Sequence, residues 1–246
     1  MSEPVGATPE VKTESVSSVT GLWKVLLEPK ATFEGYRETS PWALPFFLGI
    51  IMVVAFTWFT WPEMMDQRME MIRMSESIPE ASKGPALESM AAIRNEPQPL
   101  QIAFSPLVIA IVSLIGAGIW LMVGNVALGG DATFKQIWSM FNYAGMVGLV
   151  GMVVKWLMIS MKGSMDVFTS LALLAPDLPA SSYTFQALNG VDVFSIWLFA
   201  VIGIGLGVVC KVATKKAMVA SFVVWAIWVF GIQAGLGSLL GGLGGM

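Results

Sequence analysis

The sequence has 246 residues, of which 55% are hydrophobic and 13% are charged, with a net charge of -3 and a mean hydropathy of +0.71. This composition is typical of an integral membrane protein and excludes an ordinary soluble domain. Histidine is absent and Cys210 is the single cysteine, which excludes imidazole metal sites, Ser/His/Asp and Cys/His catalytic sets and an intrachain disulfide. The small net charge, without a basic block, argues against a nucleic-acid partner.

The N-terminal region divides into a polar tail and a short amphipathic segment. Residues 1–20 are rich in Ser, Thr, Glu and Pro, which predicts a disordered cytoplasmic tail. Between Gly21 and Tyr36, the side chains of Leu22, Val25 and Leu26 share one helical face until Pro29 interrupts. Two interpretations fit this face equally: a short helix lying in the membrane interface, or a helix packed against a membrane bundle.

Five apolar segments follow, and each is long enough for a helix across a hydrocarbon core of roughly 30 Å. The first has Trp42 and Trp61 at its ends, where interfacial aromatic rings are expected. The predicted spans are residues 41–61, 105–128, 136–160, 193–210 and 217–239. We therefore predict an all-α integral membrane protein, with a five-transmembrane-helix bundle and a short N-terminal interfacial helix in residues 21–240, and a Gly-rich tail at 241–246.

The longest polar connection, Pro62 to Pro99, is predicted to contain helices at Glu63–Ser77 and Leu87–Arg94, with a break at the Gly84-Pro85 pair. Its methionines allow two interpretations. The thioethers of Met65, Met69, Met71 and Met74 are soft ligands that could hold Cu(I). However, Met65 and Met69 share a face suited to packing or to partner docking, and no His or Cys lies nearby to complete a metal site. We favour packing and expect neither a metal nor another cofactor.

Lys155 is the single ionisable residue well inside a predicted span, which makes it a candidate functional residue. It is also close to the end of its helix at Met161, so its long side chain can reach the interface. No carboxylate within a predicted span offers it a partner. We therefore expect Lys155 to extend towards the interface, and the sequence does not favour a proton relay.

Small residues at helical spacing predict close approach between helix backbones. They fall in the third, fourth and fifth predicted spans, and the principal ones are Gly145, Gly148, Gly151, Gly203, Gly207, Gly231 and Gly235. On this interpretation Gly148 faces a neighbouring helix. Gly148→Leu would then cost about 1 to 3 kcal/mol, the usual range for overpacking.

The distribution of basic residues predicts the orientation. With five spans, the side that holds the N-terminus has eight Lys and Arg residues and the opposite side has five. The positive-inside rule then places the N-terminus in the cytoplasm and the C-terminus outside. Lys211, Lys215 and Lys216, in a short loop on the basic side, are also candidates for contact with anionic lipid headgroups.

Three segments carry a resemblance to a known family: LLEPKATFEGYRETSPWALPFFLGI at 26–50, LGGDATFKQIW at 128–138 and FSIWLFAVIGIGLGVV at 194–209. They resemble the corresponding parts of bacterial members of the Yip1 family, and the similarity covers about residues 21–235. The resemblance implies a five-helix bundle with a cytoplasmic N-terminus. Eukaryotic members are associated with Rab-type GTPases and vesicle traffic, but their Asp-Leu-Tyr-Gly-Pro motif is missing here, so no GTPase partner and no catalytic residue carries over.

Two functional hypotheses remain from the sequence. The first is a non-enzymatic organiser, trafficking-like factor or accessory subunit in the bacterial inner membrane, which contacts membrane lipids and either a membrane-protein partner or a second copy of the chain. The alternative is a transporter component or a lipid-moving, scramblase-like protein, which glycine-lined helices would suit. An intramembrane enzyme would need paired polar groups at membrane depth, and the predicted spans offer Lys155 alone.

Overall fold

The computed structural model describes residues 17–75 and 78–243, and most of these residues are helical. The helices are α1 Ser18–Leu27, α2 Pro29–Tyr36, α3 Ala43–Phe59, α4 Trp61–Met74, α5 Glu80–Ile93, α6 Pro99–Leu121, α7 Phe134–Ala144, α8 Met146–Lys162, α9 Tyr183–Gly190, α10 Val193–Val209, α11 Thr214–Ala226 and α12 Ala234–Leu243. Two π-helical segments, Met122–Ala127 and Ile227–Gln233, continue α6 and α11, and Leu171–Leu174 forms a 3-10 turn.

In the described part of the chain, five helical rods run between two ends of the bundle: α3, α6, α7 with α8, α10, and α11 with α12. We call one end proximal, because the connections before α3, α7 and α11 meet there. At this end the Lys135 Nζ donates to the Thr39 carbonyl at 3.4 Å and the Lys211 Nζ lies 3.0 Å from the Asp131 carboxylate. At the opposite, distal end, Glu63, Ser164 and Gln186 line one cavity. Successive rods therefore run in opposite directions.

Among the described residues, three helices have the length and apolarity to cross a membrane: Ile102–Ala127, Phe134–Lys162 and Thr214–Ser238. α3 joins α4 at a bend of 63°, and the two helices taken together are also long and apolar enough to cross a membrane. α10 is apolar but has only 17 residues, or about 25 Å at the usual rise per residue. The rods lie at the positions of the apolar segments found in the sequence.

α10 lies at the centre of the bundle, in contact with α2, α7, α8 and α11. Its glycines allow this, because they remove side chains from two opposite faces. A Cβ built on Gly203 would lie 2.9 Å from the Met218 Cα in α11, and one on Gly205 would lie 2.6 Å from the Met140 Cγ in α7. Large side chains complete the core around α10, including Val25, Phe33, Tyr36, Trp120, Ile137, Met140, Tyr143, Val147, Ile202 and Leu206.

Both predicted tails differ from the structure at their boundaries. Residues 1–16 and 244–246 lie outside the described residues, but α1 begins at Ser18 and α12 continues to Leu243. The Ser17 side chain accepts a hydrogen bond from the Thr20 N–H, which caps α1 and explains why ordered structure starts before residue 20. α1 packs against α3, α7 and α8, so of the two interpretations left open the structure supports packing against the bundle.

Two expectations about the distal connection are wrong. Trp61 is not an interfacial ring, because it is buried and its indole Nε1 donates to the Ile93 carbonyl at 2.9 Å. The Gly84-Pro85 pair does not break the helix, since α5 runs from Glu80 to Ile93 with Pro85 inside it. Gly84 has no Cβ to clash with the proline ring. No residue of α5 is buried, so water can reach the carbonyl that Pro85 leaves without a donor.

Candidate functional site

A polar cavity of about 850 Å³ opens at the proximal end. Three parts of the chain enclose it: the α2–α3 turn, the α6–α7 turn and the end of α10. Its lining residues are Glu34, Gly35, Arg37, Glu38, Thr39, Asp131, Thr133, Gln136, Val209 and Lys211. We call it the proximal cavity. Its lining is strongly charged, with three carboxylates and two cations.

The two turns that form one wall of the proximal cavity are tightly locked. The Asn125 side chain donates to the Ala132 carbonyl at 2.7 Å and accepts from its N–H at 3.0 Å. Gly129 has φ +76°, a left-handed conformation that glycine adopts without strain. A Cβ built on Gly130 would lie 2.5 Å from the Cys210 Cβ and 2.9 Å from the Cys210 carbonyl oxygen. The α6–α7 and α10–α11 turns therefore touch at backbone distance.

An ion pair neutralises part of the charge in the proximal cavity, and an amide hydrogen bond holds one of its turns. Lys211 pairs with Asp131, and the Gln136 Nε2 donates to the Arg37 carbonyl at 2.8 Å. Glu38 on the opposite wall is exposed. This arrangement leaves carboxylates at the rim that can receive a cationic segment, while Lys211 and Gln136 hold the turns.

The three lysines that the sequence offered for headgroup contact separate into two groups. Lys211 is committed to Asp131, although half of its side chain is exposed. Lys215 and Lys216 are exposed at the start of α11 and make no ion pair with any residue that the structure describes. These two remain available for the predicted contact with anionic lipids.

A pair of tyrosines that the sequence analysis missed anchors α1 beside the proximal cavity. The Tyr36 hydroxyl donates to the Ser17 carbonyl at 2.6 Å and the Tyr143 hydroxyl donates to the Ser18 carbonyl at 3.0 Å. Their ring centroids are 4.7 Å apart. Burial raises the pKa of Tyr36 well above its usual range, so it stays a donor. A Cβ built on Gly21 would lie 1.7 Å from the Tyr36 hydroxyl oxygen. Gly21 is therefore the residue in the sequence that could have indicated this close contact.

The glycines predicted to pack helices fall into two classes. Close contacts occur at Gly151 against Phe194, at Gly203 against Met218 and at Gly207 against Thr214, with the nearest atoms 2.8 to 3.0 Å from an added Cβ. The packing prediction is wrong for Gly148 and Gly235, where an added Cβ would meet no atom of the described residues within 4 Å. It is also wrong at Gly145 and Gly231, whose nearest atoms belong to Asn142 and Ile227 of their own rods.

Lys155 is exposed on the distal half of α8. It lines a cavity of about 350 Å³ together with Asp192 and Ser195 at the start of α10. No predicted span contained a carboxylate well inside it, and Asp192 was missed because it precedes its span and is far from Lys155 along the chain. Its role as the N-cap of α10, with Ser195 in a capping box, is the sequence signal that could have found it.

The four methionines proposed as possible copper ligands do not share one face. Met65 and Met69 are buried, whereas Met71 and Met74 are exposed and line the distal cavity. A Cu(I) site needs thioethers that converge on one point. The burial of Met65 and Met69 supports the packing interpretation for those two residues.

Comparison with known proteins shows the family. Residues 23–235 match the Yip1 domain, which is most of the chain. The chain belongs to the Yip1 domain family. It is also 25% identical over 118 residues to the protein named "Membrane protein YknW" of Bacillus subtilis (strain 168), an alignment that covers 48% of this chain and 50% of that protein. The chain thus spans about half the length of this relative, and no solved structure matches.

The proximal cavity is the candidate site because three segments that carry the family resemblance meet there. The segments that carry the family resemblance, residues 26–50, 128–138 and 194–209, are far apart in the sequence. In the Yip1 fold of this chain each contributes to the cavity wall, through Arg37, Asp131 and Val209 respectively. The chain is a membrane protein of this family, and its resemblance segments meet at one polar surface.

Proposed function

We propose that this Yip1-family protein is a non-enzymatic accessory or organising subunit that spans the membrane five times and docks a partner membrane protein at the proximal cavity. The single observation that carries the proposal is that the three segments shared with the family converge on this cavity. The Glu38 carboxylate offers attraction to a cationic segment of the partner, and Glu34, which pairs with Lys30 at 3.9 Å, adds negative charge to the same rim. Lys211 and the Gln136 amide hold the turns.

The five-span arrangement is supported by the alternating direction of the rods. Lys135, Lys211, Lys215 and Lys216 belong to connections at the proximal end. The full charge count is eight Lys and Arg on this side and five on the other. The positive-inside rule then puts the proximal end and the N-terminus in the cytoplasm, with the C-terminus outside a bacterial inner membrane. α10, though only 17 residues long, is long enough if its ends lie at the interfaces.

The docking proposal is tested with a photo-crosslinking amino acid in intact cells. We expect Glu38, at the rim of the proximal cavity, to give one discrete adduct that mass spectrometry identifies. The matched control is Glu88, an exposed glutamate of α5 at the distal end. Charge reversal at Glu34→Lys should remove the Glu38 adduct. The same adducts at both positions, or an adduct that survives charge reversal, would contradict docking at this cavity.

The alternative function, a transporter component or lipid-moving protein, is favoured by one observation: the cavity at Lys155 lies between α3, α8 and α10 rather than at an end of the bundle. The two functions separate in proteoliposomes. A scrambling activity with a fluorescent phospholipid, lost on narrowing this cavity, would support the alternative. An accessory subunit alone should leave the lipid in its original leaflet.

A further inference from the structure

Two neighbouring cavities lie between α3 and α8 on the side of the bundle. One, of about 180 Å³, is apolar and is lined by Phe59 and Trp156, whose ring centroids are 6.0 Å apart. The second, of about 350 Å³, shares Phe56 and Met152 with the first, and we call this second cavity the α3–α8 cleft. It has an apolar part at Gly148 and Leu198 and a charged part at Lys155 and Asp192.

Gly148 widens the cleft. It lines the second cavity, and the space where its side chain would be is empty to 4 Å. Gly151, one turn further along, is closed off by Phe194 at 2.8 Å. The absent side chain at Gly148 therefore leaves volume for something other than a helix of this chain.

The charged part holds two opposite charges that do not neutralise each other. Lys155 makes no hydrogen bond or ion pair with any residue in the described part of the chain. The Asp192 Oδ1 accepts from the N–H groups of Phe194 and Ser195, at 2.8 and 3.3 Å, and its Oδ2 accepts from the Thr169 hydroxyl. Asp192 is thus held in place by its cap, while Lys155 stands unpaired beside it.

The depth of these groups matches a lipid headgroup. Lys155 is two helical turns before Lys162, the last residue of α8, or about 10 Å along the axis. A lysine stem spans most of that distance and carries its ammonium to the headgroup level. Asp192 lies just before the first turn of α10, at the same distal end. From here the cleft continues along Gly148 and Leu198 towards the bilayer interior.

We propose that the α3–α8 cleft binds a phospholipid of the distal leaflet with a phosphoethanolamine headgroup. Its phosphate pairs with Lys155 and its ammonium group donates to Asp192, while one acyl chain lies along Gly148 and Leu198. The headgroup has both charges of a zwitterion, so it complements a lysine and an aspartate that are not paired with each other. A purely anionic headgroup complements Lys155 and meets repulsion from Asp192, and a quaternary choline group has no N–H to donate.

This inference does not depend on partner docking, because the cleft and the proximal cavity are separate surfaces. The test is native mass spectrometry of the delipidated full chain with phosphatidylethanolamine, phosphatidylglycerol or phosphatidylcholine of equal acyl composition. We expect one tightly held phosphatidylethanolamine, with weaker binding of the other two lipids.

Three variants test the contacts. Lys155→Met should lower retention of phosphatidylethanolamine roughly tenfold, while Lys30→Met, at an exposed lysine of α2, should not change it. Asp192→Asn keeps an efficient helix cap and should abolish the preference over phosphatidylglycerol. Gly148→Leu should fill the cleft and displace the lipid. Its control is Gly235→Leu, since Gly235 is also in open space. Thermal unfolding in lipid-free detergent verifies that each variant is folded.

Equal retention of the three lipids by the parent, or equal loss from Lys155→Met and Lys30→Met, would overturn the proposal in favour of general interfacial contact. A preference for phosphatidylglycerol would overturn the assigned role of Asp192 and with it the proposed headgroup. Retention unchanged in a folded Gly148→Leu variant would show that the lipid lies elsewhere.

Discussion

The two ends of this Yip1 protein are built in different ways. At the proximal end, turns from distant parts of the chain touch at backbone distance, as Gly130 does at Cys210, and tyrosine hydroxyls bond the backbone of α1. At the distal end, α4 and α5 form an arm held to itself by the Asp66–Arg94 ion pair and the Trp61 indole, above a cavity of about 940 Å³. Close backbone packing tolerates little change, whereas exposed ion pairs contribute little and are readily rearranged.

The most decisive test of this comparison is whether the two ends lie on opposite sides of a membrane. In a Cys210→Ser background, we expect cysteines at Glu38 and at Glu88 to react with a membrane-impermeant maleimide from opposite faces. Both glutamates are exposed in the structure. The measurement is labelling of intact cells before and after permeabilisation. Labelling of both positions from one face would end the five-span arrangement.

The largest expected effect on stability is at the proximal turn contact. Gly130→Ala places a methyl group 2.5 Å from the Cys210 Cβ and 2.8 Å from the Gly124 carbonyl oxygen. Backbone atoms cannot rotate away, so we expect a loss of about 1 to 3 kcal/mol. Thermal unfolding in detergent measures it. An unchanged melting temperature would mean that the two turns are not locked together.

The matched substitution at a glycine in open space should have the opposite sign. A Cβ on Gly235 in α12 would meet no atom within 4 Å, so Gly235→Ala removes the entropic disadvantage of glycine without a clash. We expect a gain of about 0.5 to 1 kcal/mol. The same unfolding experiment compares it directly with Gly130→Ala. Equal destabilisation by both would show that α12 packs against something in solution.

The sequence predicted the all-helical fold, whereas it predicted the contacts between helices poorly, and Gly148 shows why. Spanning a hydrocarbon core demands a long apolar run, so a segment such as 41–61 reveals a helix by length alone. A three-residue spacing of glycines does not say which of them faces a helix, and the structure puts Phe194 against Gly151 and nothing against Gly148.

The sequence could not predict which distant segments come together at the candidate sites either. Lys155 could be found because a charge in an apolar run stands out, but Asp192, which shares its cavity, belongs to a later connection. The proximal cavity has the same origin: Arg37, Asp131 and Val209 are each unremarkable in sequence and become one surface only when the rods pack. Periodicity is local information, and which turn meets which is decided by tertiary packing.

The smallest expected effect concerns the distal arm and its dependence on pH. The Arg94 guanidinium donates to both carboxylate oxygens of Asp66 at 2.6 Å, and this hydrogen bonding holds the pKa of Asp66 below its usual range. Because the folded-state pKa is depressed, the pair's contribution is complete at neutral pH, above the usual aspartate range. It is lost as the pH falls through the folded-state value, when Asp66 takes up a proton.

Spin labels at Gln67 in α4 and Glu88 in α5 would report this loss. Both positions are exposed, so the labels should not disturb the arm. We expect a narrow distance distribution at neutral pH that broadens when Asp66 is protonated, without global unfolding, because both side chains of the pair are partly exposed and screened. Asp66→Asn should show the broad distribution at every pH. If it stayed narrow, the Trp61 indole bond to Ile93 and the Lys83 bond to the Arg73 carbonyl would hold the arm without the ion pair, and the distal end would be more rigid than its few contacts indicate.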